Sequence, residues 1–275
     1  MIKIEVQDVS LGYAHKKVLN DITFQVRPGE MMGLIGPNGC GKSTIIRALT
    51  RIISPYRGRI LLDGKDIVSI SRQELARLLG VVPQMPLLPS AFTAFEIVLM
   101  GRNPHLGLFQ YEGLKDLAIA WQAMDSTMTQ HLARQMVGEL SGGEIQSLLI
   151  ARVLTQETKA ILLDEPTANL DIGRQVEMLN LIKNLCRANN LAVLAVLHDL
   201  NLAAQYCDRL MLIHTGRIHA EGLPGEVITP RNIKEVYQVD NCVYPHPANG
   251  RPAVLLNPGN GLVSNTSEVN ERNGV

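Results

Sequence analysis

The sequence carries no net charge, with 26 Lys and Arg set against 26 Asp and Glu in 275 residues. That balance leaves no broad basic field for gripping nucleic acid, which is not an expected partner. Long apolar runs are missing too. The longest, Leu191 to Leu197, stops at His198 and Asp199, well short of the about 18 residues that a membrane-spanning helix needs. The start, Met1-Ile2-Lys3-Ile4-Glu5, alternates apolar and charged residues and lacks the apolar core of a signal peptide. Cysteine is sparse: Cys40, Cys186, Cys207 and Cys242 show no CxxC spacing, so neither a disulfide framework nor a zinc site is suggested. What remains is a folded chain of ordinary 46% hydrophobic content, long enough for one large domain or two small ones. It is expected in the cytoplasm, with any membrane role exerted through a partner.

Short strands dominate the first third. Ile2, Ile4 and Val6 alternate with polar residues, as do Ile22, Phe24 and Val26, the period of half-buried strands. Met31 to Ile35 is continuously apolar, as a strand buried on both faces should be. A glycine-rich loop follows, and Ile45, Ile46, Leu49 and Ile53 then recur at helical spacing. Three helices are predicted at Ala94–Met100, Leu114–Met124 and Glu144–Leu154. Strand patterns return at Ala160–Leu163, Ala192–Leu197 and Leu210–Ile213. A helix with Val176, Leu179, Ile182 and Leu185 on one face lies between the first two. Alternating strands and helices predict a parallel α/β sheet, interrupted by a mostly helical insertion. The tail from about Asn257, rich in Asn, Ser, Gly and Glu, predicts disorder.

Gly36-Pro37-Asn38-Gly39-Cys40-Gly41-Lys42-Ser43 fits G-x-x-x-x-G-K-[ST]. Glycines let backbone N–H groups wrap around phosphates, and the following helix aims its positive end at the same anion. Lys42 is expected on the β- and γ-phosphates and the Ser43 hydroxyl on Mg²⁺. Cys40 takes a position where the backbone N–H matters, so binding should survive, with a thiol open to alkylation. Ala160-Ile161-Leu162-Leu163-Asp164-Glu165 delivers two carboxylates at the C-terminal edge of a strand, where ligands bind in open α/β sheets. Asp164 suits a water-mediated Mg²⁺ contact. Glu165 suits the general base on an attacking water. Between these motifs lies Leu140-Ser141-Gly142-Gly143-Glu144, in which Ser141 and Glu144 form a capping box opening a helix.

In that order and spacing, the motifs resemble the nucleotide-binding subunit of an ABC (ATP-binding cassette) transporter, over about residues 1 to 240. The resemblance implies an α/β fold: a P-loop NTPase, RecA-like parallel-sheet core (1–86 and 157–240), an N-terminal antiparallel β subdomain within it, an inserted α-helical subdomain (87–156) and a C-terminal extension (241–275). It implies ATP and Mg²⁺ as cofactors. The nucleotide would lie on the P-loop residues, including Thr44, with Tyr13 stacked on adenine. Gln84 would be the Q-loop glutamine and a Mg²⁺ ligand, Asp171 the D-loop aspartate, and His198 the switch histidine at the γ-phosphate. It further implies a head-to-tail homodimer, in which ATP lies between one P-loop and the Ser141-Gly142-Gly143 turn of the second copy. Two integral-membrane permeases, an extracytoplasmic binding protein acting indirectly, and a peripheral place on the cytoplasmic face of the membrane complete the expectation.

A single cassette without membrane helices suggests the separate-subunit arrangement of importers. Gly101-Arg102-Asn103-Pro104-His105, Tyr244-Pro245-His246-Pro247 and Gly250-Arg251-Pro252 resemble segments of the iron–siderophore, haem and cobalamin importer ATPases. His105 and His246 are not read as metal ligands, and His214 and His219 flank an expected hairpin turn at Thr215-Gly216. Molybdate or tungstate are the neighbouring cargo options. Leu87, Leu88, Phe92 and Phe95 are expected either to receive a cytoplasmic helix of the permease or to pack inside the helical subdomain. A soluble ABC ATPase acting on DNA or ribosomes is the rival class. A non-hydrolysing structural subunit is a third, opposed by the presence of Glu165 and His198.

Overall fold

The computed structural model describes residues 2–13, 16–84, 86–107 and 109–256. The tail predicted to be disordered lies outside them. β1 (Ile4–Tyr13) and β2 (Lys16–Val26) form an antiparallel hairpin. β3 (Met31–Ile35), buried at every residue, leads through the glycine loop into α1 (Lys42–Leu49). β4 (Arg57–Leu62) and β5 (Lys65–Asp66) return to the hairpin and complete a sheet of order β2-β1-β4-β5. α2 (Arg72–Leu78) runs directly into β6 (Leu79–Val82).

A helical layer follows: α3 (Ala94–Leu99), a 3₁₀ segment (Met100–His105), α4 (Leu114–Ser126) and α5 (Gly142–Thr155). The chain then returns to the sheet with β7 (Ala160–Asp164), α6 (Ile172–Ala188), β8 (Ala192–Val196), α7 (Leu200–Tyr206), β9 (Arg209–His214) and β10 (Arg217–Gly222). α8 (Pro224–Val227), α9 (Pro230–Tyr237) and a hairpin of β11 (Asn241–Pro245) and β12 (Pro252–Leu256) close the described chain.

The second sheet has the order β10-β9-β3-β8-β7-β6. All its strands are parallel except the edge strand β10. One apolar cluster packs the antiparallel sheet and α1 on one of its faces; a second packs α5, α6, α7 and α9 on the other. A third fills the helical layer. α5 belongs to two of them, sending Leu149, Ile150 and Val153 toward the sheet and Leu148 and Ala151 into the layer. It is therefore the beam joining layer to sheet. The burial of α6 departs from the predicted face: Leu179 and Ile182 are buried, but Val176 is exposed and Met178 buried instead, because the first turns of α6 extend past the edge of the sheet's apolar cluster.

No helix among the described residues is long and apolar enough to cross a membrane.

Candidate functional site

Strand order explains where the chemistry collects. β3 lies between β8 and β9, so the chain leaves it toward one side and returns on the other, the crevice where open α/β sheets bind ligands. The register aligns Val82 with Leu163, Asp164 with Val196, and Leu34 with Val196. Extending each strand by one or two residues brings Gln84, Glu165, His198 and the glycine loop to the same edge.

The loop is shaped for a phosphate. Gly36 has φ 147 and Gly41 φ 113, both positive. A Cβ on Gly36 would lie 2.3 Å from the Ile213 carbonyl oxygen, so the close approach to β9 admits only glycine. Lys42 is buried and its Nζ donates to Gly36 O at 2.8 Å and Pro37 O at 3.0 Å. The ammonium thus sits inside the curl of the loop, held by the loop's own carbonyls. Asn38, Gly39 and Ser43 are exposed at the mouth, Pro37 is half-buried, and Thr44 is buried beneath them. Tyr13, 40% exposed, is placed beside α1 by a hydrogen bond of 3.0 Å from Arg47 Nη1 to its hydroxyl.

The expected reactivity of Cys40 is corrected. Its side chain is buried, and burial pushes the thiol up from its usual value against the opposing charge of Lys42. The nucleophilic thiolate is thereby disfavoured.

Two side chains close on the carboxylate of Glu165. The Gln84 amide donates to Oε2, and His198 Nε2 faces Oε1. Glu165 itself adopts a left-handed backbone, φ 54, uncommon for a side chain this size. Asp164, one residue earlier, is half-buried in the adjoining position. Burial first, then the charge of Glu165, raise its carboxyl above the ordinary range, opposed by Arg47, Lys42 and His198. Its Oδ1 is buried without a hydrogen-bond partner. A buried acceptor left open this way suits a cation or its bound water.

Ser141, Gly142 and Gly143 open α5. The backbone N–H of Ser141 donates to Glu144 Oε2 at 2.8 Å, and its hydroxyl does so at 2.6 Å, while Glu144 N–H returns to Ser141 Oγ at 3.4 Å. These bonds, the side-chain one first, hold the Glu144 carboxyl below its usual value. A Cβ on Gly142 would meet nothing within 4 Å, and one on Gly143 would lie 3.7 Å from Leu170 Cδ2. The turn therefore faces open space on one side and leans on the Asn169-Leu170-Asp171 segment on the other. Asp171 caps α6, accepting from Arg174 N–H at 2.9 Å.

Of the apolar residues that follow Gln84, Leu87 is fully exposed and Phe92 points partly outward. Phe95 instead packs on Trp121 with ring centroids 4.7 Å apart, and Leu88 joins two apolar clusters. His105 Nε2 lies 2.8 Å from Gln156 O, and His219 faces Glu235 at 3.4 Å. His214 and His219 stack edge to face across the turn at Thr215-Gly216.

Two contributors escape sequence reasoning. Arg47 anchors Tyr13. Tyr237, at the end of α9, is half-buried with its phenol facing the Gly36 backbone beside the P-loop, and burial pushes that phenol up. No local pattern announces either, since both act across distant parts of the chain.

Comparison with known proteins agrees with this architecture. The family model described as "ABC transporter" matches residues 19–168. The achromobactin transport ATP-binding protein of Dickeya dadantii is 38% identical over 247 residues, covering 90% of this chain and 92% of that one. The ferric enterobactin transport ATP-binding protein of Escherichia coli is 39% identical, covering 92% of this chain and 93% of its own. The hemin import ATP-binding protein of Pseudomonas entomophila is 40% identical, covering 92% and 99%. Among solved structures, an inward-facing metal-chelate type ABC transporter aligns with a TM-score of 0.81 at 28% identity, covering 93% of this chain and 98% of that chain.

Proposed function

This chain belongs to the ABC transporter family, and we propose that it is the ATP-hydrolysing subunit of an importer that takes up a metal chelate, of the iron–siderophore, haem or cobalamin type. The observation that carries the reading is the convergence of Gln84 and His198 on Glu165 beside a buried P-loop lysine. The cargo class is supported by the relatives, which are named for the transport of achromobactin, ferric enterobactin and hemin.

Each residue then has a role. The P-loop from Gly36 to Thr44 wraps the phosphates with its N–H groups, and Lys42 leaves the carbonyls of Gly36 and Pro37 for the β- and γ-phosphates. Tyr13 lies under the adenine. Ser43, Gln84 and Asp164 would hold Mg²⁺, a fit supported by the unpartnered Oδ1 of Asp164; bound there, the ion supplies charge neutralisation on the phosphates. Glu165 accepts a proton from the attacking water, and His198 orients the γ-phosphate. Positioning and electrostatics supply the catalysis, without a covalent intermediate.

Ser141, Gly142 and Gly143 of a second copy complete the site, and Asp171 lies at the seam between the two copies. A homodimer of cassettes thus closes on two ATP molecules. In each copy, residues 1–86 and 157–240 act as the nucleotide-binding unit, residues 87–156 as the helical arm, and 241–275 as an extension. The arm, through exposed Leu87 and Phe92, engages two permeases at the cytoplasmic face of the membrane. An extracytoplasmic binding protein feeds the permeases without touching this chain.

Affinity purification of the chain from detergent-solubilised membranes of its host tests this reading. A polytopic permease should co-purify in equal amount. Recovery with ribosomes, DNA or soluble proteins alone would reassign the ATPase to another task.

A further inference from the structure

The Gly250-Arg251-Pro252 segment stands in the sequence with no chemistry attached, and the structure gives it neighbours. It closes the hairpin of β11 and β12, which lies along α7. The hairpin grips α7 at both ends. At the first turn, Val254 N–H donates to Asn201 Oδ1 at 2.6 Å, and Asn201 Nδ2 donates to Val254 O at 3.2 Å. At the last turn, one guanidinium nitrogen of Arg251 donates to Ala204 O at 2.7 Å, Gln205 O at 2.9 Å and Cys207 O at 2.9 Å. The Asn249 amide adds a bond of 2.5 Å to Gln205 Oε1.

Helix ends leave carbonyls without intrahelical partners, and a cation there is favoured by the helix dipole. Arg251 supplies both donor and charge. α7 has only 7 residues, too few to hold a helix by propensity, so its place depends on what it packs against. Beneath it, Ala203 and Ala204 are fully buried. Above it lies the hairpin.

α7 matters because of what precedes it. Asp199 is its N-cap, accepting from Leu202 N–H at 2.8 Å, and His198 is the residue before. β8 ends at Val196, so His198 hangs between a sheet strand and the first turn of α7. Any shift of α7 moves the imidazole relative to Glu165.

We propose that Arg251 is a positioning residue for His198, holding α7 in the register that keeps the imidazole on Glu165. The proposal rests on the assignment of His198 to the hydrolytic site. The Arg251 guanidinium bonds to carbonyls at the end of α7, whereas Lys42 is held by the carbonyls of Gly36 and Pro37, so nucleotide binding and turnover should separate.

The test is a double-mutant cycle on the full-length chain, measuring ATP turnover, KM for ATP and ATP binding. Arg251→Ala should lower kcat about tenfold, the scale of a small misplacement of a catalytic group, with KM changed less than about twofold. Arg251→Lys, with one point charge at the helix end, should recover part of kcat. In a His198→Ala background, adding Arg251→Ala should lower kcat by less than about twofold, because both changes remove the same contribution. Equal fold-losses in the two backgrounds, or an unchanged kcat in Arg251→Ala, would overturn the positioning role. An unchanged kcat in His198→Ala alone would instead overturn the assignment of His198. If Arg251→Ala does not fold, as shown by loss of a cooperative thermal unfolding transition, Asn201→Ala takes its place in the cycle with the same outcomes; lost ATP binding by a folded Arg251→Ala would also overturn the positioning role.

Discussion

Glu165→Gln is expected to lower ATP turnover by about 10²- to 10⁴-fold, the usual contribution of a positioned general base, while ATP binding persists. The amide keeps the size of the carboxylate and can still meet Gln84 and His198 at its two terminal atoms. It has no basic oxygen to accept a proton from water. The P-loop, Lys42 and Tyr13 are untouched, so the nucleotide-bound state should accumulate as a trapped dimer. Phosphate release alongside equilibrium ATP binding measures both halves. Turnover at the parent rate would remove Glu165 from its role. The left-handed backbone at Glu165 makes Gln a gentle choice, because polar side chains tolerate that region better than β-branched ones do.

Arg102→Ala should cost about 2–4 kcal/mol of stability, somewhat below the range for breaking a fully buried ion pair. The Arg102 side chain is 4% exposed and pairs with Asp116 at 2.8 Å and Glu157 at 2.7 Å. A further bond of 2.9 Å reaches Thr155 O at the end of α5. Removing the guanidinium leaves the half-buried Asp116 carboxylate with the Gly113 N–H as its partner, whereas Glu157 is half exposed and recovers water, which sets the discount. Arg102→Lys should rescue little, since one ammonium cannot reproduce the planar fork that serves three acceptors.

The pH dependence of that loss follows from Asp116. Its carboxyl is held below the ordinary range first by the Gly113 N–H and then by Arg102. The stability it contributes is therefore present above the unfolded carboxylate value and lost as pH falls through the depressed folded one. The gap between parent and Arg102→Ala should narrow on acidification. Thermal unfolding as a function of pH measures it; a gap that does not narrow on acidification would show that packing, rather than the ion pair, carries the loss.

How far the sequence foretold these features depends on how local they are. The P-loop, the Asp164-Glu165 strand end and the capping box at Ser141 each lie within a few residues, so spacing alone displays them. The parallel sheet is legible for the same reason, since continuous apolar runs such as Met31 to Ile35 mark strands buried on both faces. Arg102 is different. In a linear reading an arginine belongs to the surface, and only the packing of α4 and α5 around the 3₁₀ segment turns it into a buried hub. Tyr237 on the Gly36 backbone and Arg251 on α7 are likewise products of tertiary contact between distant segments. The exposed Val176 has the opposite origin: its helical period is correct, but the sheet does not extend beneath it. Cys40 shows a third case, in which the motif fixes a residue's place and burial within the glycine loop, beside Tyr237, decides its chemistry.

In the proposed dimer, each ATP is hydrolysed by Lys42 and Glu165 of one copy and the Ser141 turn of the other. Mixing two inactive variants tests it directly. Lys42→Ala removes the phosphate lysine, and Ser141→Arg fills the open space in front of the turn; each should be inactive alone. In a mixed dimer, one site carries both lesions and the other carries neither, so ATP turnover should reappear on mixing. Continued inactivity of the mixture, with each variant folded, or full turnover by Ser141→Arg alone, would contradict a site shared between two copies.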